Sequence, residues 1–182
     1  MCTRDEQLWS AASMVPGIAL AAYWAWATKN TKIVISACMY IVLCFGSIAY
    51  HTHCAYNTDS SEHPRWLRLD ITTQQLFIYG TAVLSPLGVY GATLVLPLAV
   101  LIGLTSLKEV SGYYVAIIAH AIGILAVSGA QRFYLGFQWF VAFCIFAMKD
   151  AHEGYYVVYQ TLWHLMCHIN VHSIWLYMAS AI

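Results

Sequence analysis

Charged side chains are scarce in this chain. Of its 182 residues, 9% are Asp, Glu, Lys or Arg, whereas about 25% is usual in soluble domains. Hydrophobic residues make up 61% and aromatic residues 15%, which is more apolar side chain than a soluble fold buries. The formal net charge is zero and no basic run is present, so nucleic-acid binding has no electrostatic basis. These shortages predict an integral membrane protein.

The sequence also lacks CxxC cysteine pairs and the features that are typical of a cleaved signal peptide. The six cysteines form no CxxC pair, and most lie in apolar runs, where Cys usually acts as a small hydrophobe. The sequence therefore predicts no disulfide framework. The N-terminal MCTRDEQLW lacks the basic region and the small-residue cleavage site of a signal peptide, so we expect the first apolar stretch to be a retained span.

Charges and turn residues divide the chain into seven apolar segments that are candidates for crossing a membrane. These segments are residues 8–28, 33–54, 69–87, 90–107, 113–130, 133–148 and 155–181. They lack the alternation of strands, and lipid admits only helices or closed barrels. We therefore predict an all-α fold, a seven-transmembrane helix bundle that forms a single domain over residues 1–182.

Several polar residues lie inside these spans, where each is costly and is therefore a functional hypothesis. Ser47 and His51 are four residues apart and share one face of the second span. Asp70 opens the third span, level with His51 if the polar loop NTDSSEHPRWLR makes these spans antiparallel neighbours. His164 and His168 are one turn apart in the last span and could bind one metal, with His51 as a third ligand. Asp70 would then act as a base or hold the water, and Ser47 would bond that water or an oxyanion.

The same residues also have structural interpretations. Ser47 could bond a carbonyl in its own helix. His51 could lie at the membrane interface, and Asp70 could cap the third span, a contribution of about 1 kcal/mol. We expect a structural hydrogen bond for His172, one turn beyond His168. The HxxxH spacing alone is weak, whereas SxxxH, then Asp, then HxxxH in the last span is a more specific combination.

This combination resembles the CREST superfamily of seven-span membrane hydrolases. Its members include alkaline ceramidases, adiponectin/progestin-type receptors, GPI-lipid remodelling factors and the cell-fusion protein myomaker. The chain looks most like the myomaker branch and its GPI-phospholipase relatives. That likeness rests on SIAYH (47–51), RLDI (68–71) with YGTAV (79–83), and YY with LWH (155–156 and 162–164). Span count and order extend the resemblance over nearly the whole chain.

The resemblance implies zinc held by three histidines, with Ser47 and Asp70 near the water that the metal binds. It implies metal-assisted attack of water on an amide or ester carbonyl, in a membrane lipid that enters from the bilayer. It also implies an outside N-terminus, whereas a weak excess of Lys and Arg favours the inside.

One position departs from the family pattern. The family has His-x-x-Trp-His or close to it, and Trp163 here makes His164 the second histidine. The first then falls on Gln160, a poor zinc ligand. Either the pair has moved by one turn to His164 and His168, or the site has lost a ligand.

Two other functions remain open. A non-catalytic membrane protein, such as a fusion factor or a subunit of a larger membrane assembly, is favoured by Gln160. Axial haem ligation would also place histidines on neighbouring helices, but it would leave Ser47 and Asp70 without a role. A metal analysis separates these functions: zinc for the hydrolase, iron with a Soret band for haem and neither metal for the structural protein.

Overall fold

The structure, a computed structural model, describes residues 3–57, 61–84, 132–151 and 153–180. These residues form six α-helices and one 3₁₀ turn: α1 (Arg4–Ala12), α2 (Val15–Ala27), α3 (Thr31–Tyr56), α4 (His63–Leu84), α5 (Arg132–Ala151), the turn Glu153–Tyr155, and α6 (Tyr156–Ser180). The described part of the chain contains no strand, which confirms the all-α prediction. The fourth and fifth predicted spans, 90–107 and 113–130, lie outside the described residues.

Among the described residues, two helical stretches are long and apolar enough to cross a membrane. They are Arg4–Ala27, which comprises α1 and α2, and Thr31–Tyr56, which is α3. Large apolar side chains are also exposed on α5, at Phe133, Phe137 and Phe140. Their spacing places them on one side of that helix, where an exposed apolar surface suits contact with lipid. The described residues thus carry membrane-type surfaces without establishing a count of seven spans.

The first predicted span is broken into two helices, and Pro16 explains the break. A proline inside a helix clashes with the carbonyl four residues earlier and has no N–H to donate. Helix α1 accordingly ends at Ala12, and α2 begins at Val15 with Pro16 in its first turn. The backbone N–H of Gly17 bonds the carbonyl of Met14 at 3.1 Å, so the carbonyl of Ser13 is not used by a regular helix.

Helix α4 begins earlier than the predicted third span. It starts at His63, inside the stretch that the sequence indicates as loop. The N–H groups of Arg65 and Trp66 bond the carbonyl of Glu62 at 3.0 and 3.3 Å and so form the first turn. Asp70 therefore lies about two turns inside α4, and the prediction that it caps this helix is wrong.

Helices α3 and α4 pack as antiparallel neighbours, as the sequence predicts. His53 stacks on Trp66 near one end, with ring centroids 5.0 Å apart. Near the other end, the Ser36 and Thr81 hydroxyls lie 2.8 Å apart. Along the length between these pairs, residues of α3 face residues of α4 in reverse order. This register brings the part of α4 that holds Asp70 to the part of α3 that holds Ser47.

Helix α6 is the second wall of the core. Trp175 is fully buried, and its indole N–H donates to the Ser36 hydroxyl at 2.9 Å. On another side of α6, Trp163 packs against Trp139 of α5, with ring centroids 5.6 Å apart. Helix α6 is thus fixed between α3 and α5, and its buried residues at four-residue spacing face α1 and α3.

Candidate functional site

A cavity of about 40 Å³ lies among α3, α4, α6 and the break between α1 and α2. One water needs about 10–15 Å³, so the cavity has room for a few waters or for a metal ion with its water, but not for a lipid. Apolar walls include Leu43 and Trp163. Its polar wall is formed by Ser47, His51, Asp70, Gln74, Gln160 and His164.

Four of the five residues predicted for the site line this cavity. Ser47 and His51 come from α3, Asp70 from α4 and His164 from α6, and each is no more than 5% exposed. The chain therefore places side chains from three separate stretches around one polar space, although burial of this kind is costly in an apolar interior. His168 is not among the lining residues.

His51 and His164 face each other across the cavity. Their ring centroids are 5.8 Å apart. Two imidazoles whose nitrogens lie about 2.0–2.1 Å from one tetrahedral zinc have ring centres roughly 5 Å apart. The two rings are therefore close to the separation that a shared metal ion requires.

Each of these rings is also held by a residue that the sequence analysis did not single out. Nδ1 of His51 lies 2.7 Å from the Gln7 side-chain oxygen, and Nδ1 of His164 lies 2.6 Å from the Ser13 hydroxyl. Gln7 belongs to α1, and Ser13 follows its last residue. The signal that could have found them is a spacing of three among polar residues, with Gln7 just before the first predicted span and Ser10 and Ser13 within it.

His168 makes two protein hydrogen bonds instead. Its Nε2 lies 3.0 Å from the Ser13 carbonyl, which only accepts, so Nε2 carries the proton. Its Nδ1 accepts from the Tyr40 hydroxyl at 2.6 Å. A Cβ added to Gly17 would lie 2.5 Å from Cε1 of this ring, so the glycine makes room for it. Both nitrogens of His168 are thus used inside the core, which favours the register in which His164 pairs with position 160.

His172 is bound in a third way, as its sequence position predicts. The indole N–H of Trp24 donates to its Nδ1 at 2.9 Å. The two rings also pack against each other, with centroids 5.6 Å apart. This contact joins α2 to α6, and it leaves His172 away from the cavity.

Asp70 and Ser47 complete the polar wall. Asp70 is 2% exposed, and the Gln74 amide lies 3.4 Å from its carboxylate. Ser47 is 3% exposed on the same face of α3 as His51. A buried carboxylate beside a hydroxyl and two imidazoles provides a base, a donor and two potential ligands around one space.

Gln160 occupies the position where the family pattern has a histidine. Its amide nitrogen lies 3.0 Å from Nε2 of His164, and its amide oxygen is buried with no hydrogen-bond partner. Among the described residues, no three His, Cys, Asp or Glu side chains come together as a metal-ligand set. Two imidazoles and one buried amide oxygen fit a metal ion, but the oxygen is a weaker donor for zinc than an imidazole.

Comparison with known protein families, curated proteins and solved structures finds no match to this chain.

Proposed function

We propose that this chain is a multi-pass membrane protein that hydrolyses an amide or ester bond of a membrane lipid with the help of zinc. The observation that carries the proposal is the meeting of Ser47, His51, Asp70 and His164 at one buried cavity. These residues come from three stretches of sequence. Burying polar side chains costs free energy, so a core that needed only apolar packing would not gather them around one cavity.

The two histidines and Gln160 would hold the metal. Nε2 of each imidazole and the amide oxygen of Gln160 are the donors that this proposal uses. When bound, zinc supplies Lewis acidity, which polarises a carbonyl and makes water acidic enough to attack near neutral pH. The amide oxygen of Gln160 is a weaker zinc donor than an imidazole nitrogen, so we expect this site to bind zinc less tightly than a site with three histidines.

Asp70 and Ser47 act on the reacting groups. The Asp70 carboxylate takes a proton from the attacking water while the water oxygen bonds to the carbonyl carbon. The Ser47 hydroxyl donates a hydrogen bond to the carbonyl oxygen as negative charge develops there. The C–N or C–O bond then breaks, and Asp70 returns the proton to the departing amine or alcohol. The apolar walls keep bulk water away from these steps.

A lipid suits the site better than a soluble metabolite. The cavity is enclosed by helices whose outer surfaces expose large apolar side chains, such as Phe45 on α3 and Leu165 on α6. A substrate that reaches the cavity between such helices comes from the bilayer. The cavity is too small for an acyl chain, so only the scissile group would enter it, with the chains outside among lipids.

A non-catalytic membrane protein, such as a fusion factor or a subunit of a membrane assembly, is the second candidate. The observation that favours it is the contact of 3.0 Å between the Gln160 amide nitrogen and Nε2 of His164. In that case the amide N–H takes the lone pair that a metal would use, and the polar cluster serves to join α1, α3 and α6.

Hydrolysis of ceramide and phospholipid panels by the purified protein in nanodiscs tests the proposal. Asp70→Asn should stay folded and inserted but lose at least about tenfold in hydrolysis, because a neutral amide cannot take the proton. Glu62→Gln is the matched control, since it removes an exposed carboxyl just before α4 and should leave the rate unchanged. Wild-type protein that holds zinc yet cleaves nothing would support the non-catalytic candidate instead. Full activity of Asp70→Asn would remove Asp70 from the mechanism.

A further inference from the structure

The end of the molecule where α3 finishes and α4 begins holds a pair of stacked rings. His53, in the last turn of α3, stacks on Trp66, in the first turn of α4, with ring centroids 5.0 Å apart and ring planes 24° apart. Nε2 of His53 and Nε1 of Trp66 are both buried, and neither has a hydrogen-bond partner among the described residues. Buried polar atoms are nearly always hydrogen-bonded, so two unpartnered atoms on one ring pair indicate a ligand site.

The Asn57 amide fixes the tautomer of His53. Its nitrogen lies 3.1 Å from the His53 carbonyl, which only accepts, so the amide is oriented with its N–H groups on this side. The same nitrogen lies 3.0 Å from Nδ1 of His53, and Nδ1 therefore accepts. The proton of the neutral ring is then on Nε2. Because the indole nitrogen of Trp66 also carries a proton, both unpartnered atoms are donors that lack an acceptor.

A phosphate group suits two neighbouring donors of this kind. Stacked rings hold their N–H bonds in nearly parallel planes, so a ligand that bonds both needs more than one acceptor oxygen. A phosphate has several such oxygens, and its charge makes the hydrogen bonds stronger than those of a neutral acceptor. A metal ion does not suit these two atoms, because both of them carry protons.

The position of the ring pair indicates a lipid as the source of the phosphate. Helix α3 is long and apolar enough to cross a membrane, and it ends at Tyr56, three residues after His53. In a bilayer, the last turn of such a helix lies near the headgroups, where tryptophan is also enriched. Exposed arginines lie at the same end: Arg65 and Arg68 at the start of α4, and Arg4, whose guanidinium lies 4.6 Å from the centre of the Tyr56 ring.

The charges at this end balance one another. The three arginines are matched in number by three acidic residues of the same region, which are Asp5, Glu6 and Glu62. A ligand here is therefore held by directed hydrogen bonds and not by attraction to a positive surface. A zwitterionic headgroup such as phosphatidylcholine should bind as well as an anionic one.

We propose that the N–H groups of His53 and Trp66 bind the phosphate of a phospholipid headgroup at the membrane boundary. The His63 ring stands edge-on against His53, with centroids 5.8 Å apart, and its Nε2 donates to the Asn57 carbonyl at 3.2 Å. Turning this half-buried ring aside breaks that one hydrogen bond and is the movement that admits the headgroup. The site uses neither zinc nor the cavity, so it does not depend on the proposed hydrolysis.

The test is phospholipid binding to the purified full-length protein in a maltoside detergent, measured by native mass spectrometry. The wild type should bind phosphatidylcholine more tightly than diacylglycerol with the same acyl chains, which lacks the phosphate. Trp66→Phe and His53→Phe keep an aromatic pair but remove one N–H each, so each should lower phosphatidylcholine affinity about tenfold or more. Trp26→Phe is the matched control, since it removes an indole N–H from a side chain that is 83% exposed on α2, and it should bind as the wild type does.

Nitrogen-15 NMR of the tryptophan indoles in the wild type gives a second readout, which does not depend on the folding of a variant. The Trp66 N–H signal should shift with phosphatidylcholine and stay in place with diacylglycerol. Equal binding of the two lipids, or equal affinity of Trp66→Phe and Trp26→Phe, would overturn the inference. A shift with inorganic phosphate alone would identify a free anion as the ligand, and no shift at all would leave water as the acceptor; either result would also overturn it.

Discussion

The two ends of the histidine row in α6 have the same residue type and the same spacing but different surroundings. At one end, His164 lies at the polar cavity, between Ser13 and Gln160. At the other end, His172 accepts from Trp24 on α2, and between them His168 joins Tyr40 to the Ser13 carbonyl. The difference is made by the helices opposite α6, because its own four-residue repeat is unchanged along the row.

This comparison shows that a helical histidine spacing does not by itself distinguish a ligand from a structural residue. Both nitrogens of His168 are hydrogen-bonded away from the cavity, by the Tyr40 hydroxyl and the Ser13 carbonyl. Both nitrogens of His164 are hydrogen-bonded as well, but one of its partners, Gln160, lines the cavity with it. A metal at the cavity would therefore have to replace the Gln160 amide N–H at Nε2 of His164. The predictions below separate the two histidines by measuring zinc and stability in matched variants.

The largest effect is expected at the cavity. Under the proposed function, His164→Ala removes a zinc ligand. Loss of a residue that only supports a ligand costs about 10–100-fold in metal affinity, so zinc affinity should fall by more than that, and hydrolysis should fall to background. Zinc analysis and the lipid assay on purified protein check this. His172→Ala is the control from the other end of the row, and it should keep both. Zinc retained by His164→Ala would remove His164 from the metal site.

A change at His168 should lower the stability of the fold and leave zinc binding unchanged. His168→Ala leaves the Tyr40 hydroxyl and the Ser13 carbonyl without their partner, at a cost of about 1–3 kcal/mol in the free energy of unfolding for each group. Zinc content per folded protein should stay near the wild-type value. Denaturant titration in detergent and zinc analysis measure the two quantities. Loss of zinc from folded His168→Ala would instead support His164 and His168 as the ligand pair.

The third variant sharpens the comparison by adding a histidine. Gln160→His places an imidazole one turn before His164, so zinc affinity should rise at least about tenfold, because imidazole is the better zinc donor. Gln138→His on α5 is the matched control, since it replaces another buried glutamine outside the cavity. An equal change in both variants, measured by chelator competition, would count against Gln160 as part of the metal site.

The smallest effect is expected at the far end of the row. His172→Phe keeps an aromatic ring beside Trp24, but it removes the nitrogen that accepts the hydrogen bond from the Trp24 indole N–H. This should lower the free energy of unfolding by about 1 kcal/mol and leave zinc affinity unchanged. The same denaturant titration checks it. If the free energy of unfolding fell as much as it does in His168→Ala, the hydrogen bonds of His172 and His168 would contribute equally to stability.

Part of this arrangement could be predicted from the sequence. The four-residue spacing of Ser47 and His51 places them on one helix face, and the polar stretch after α3 predicts that α4 returns beside it. Together they bring Asp70 to His51. The spacing also marks His164 and His172 as facing the core, although it cannot say which of the row meets the cavity.

The rest depends on contacts that lie far apart in sequence. Pro16 signals a break in the first span, but nothing local indicates that the freed Ser13 carbonyl meets His168, 155 residues later. Gln7 and Ser13 look like ordinary polar residues of an N-terminal segment until α1 is packed on α3 and α6. The start of α4 at His63 could not be predicted from the sequence either, because a polar stretch with a proline is typical of a loop.

Zinc-edge anomalous diffraction from crystals of the wild-type protein grown with zinc tests the central claim most directly. The account predicts one peak at the cavity, about 2.0–2.1 Å from Nε2 of both His51 and His164. A zinc peak shared by His164 and His168, or well-ordered His51 and His164 rings without a peak at saturating zinc, would contradict it.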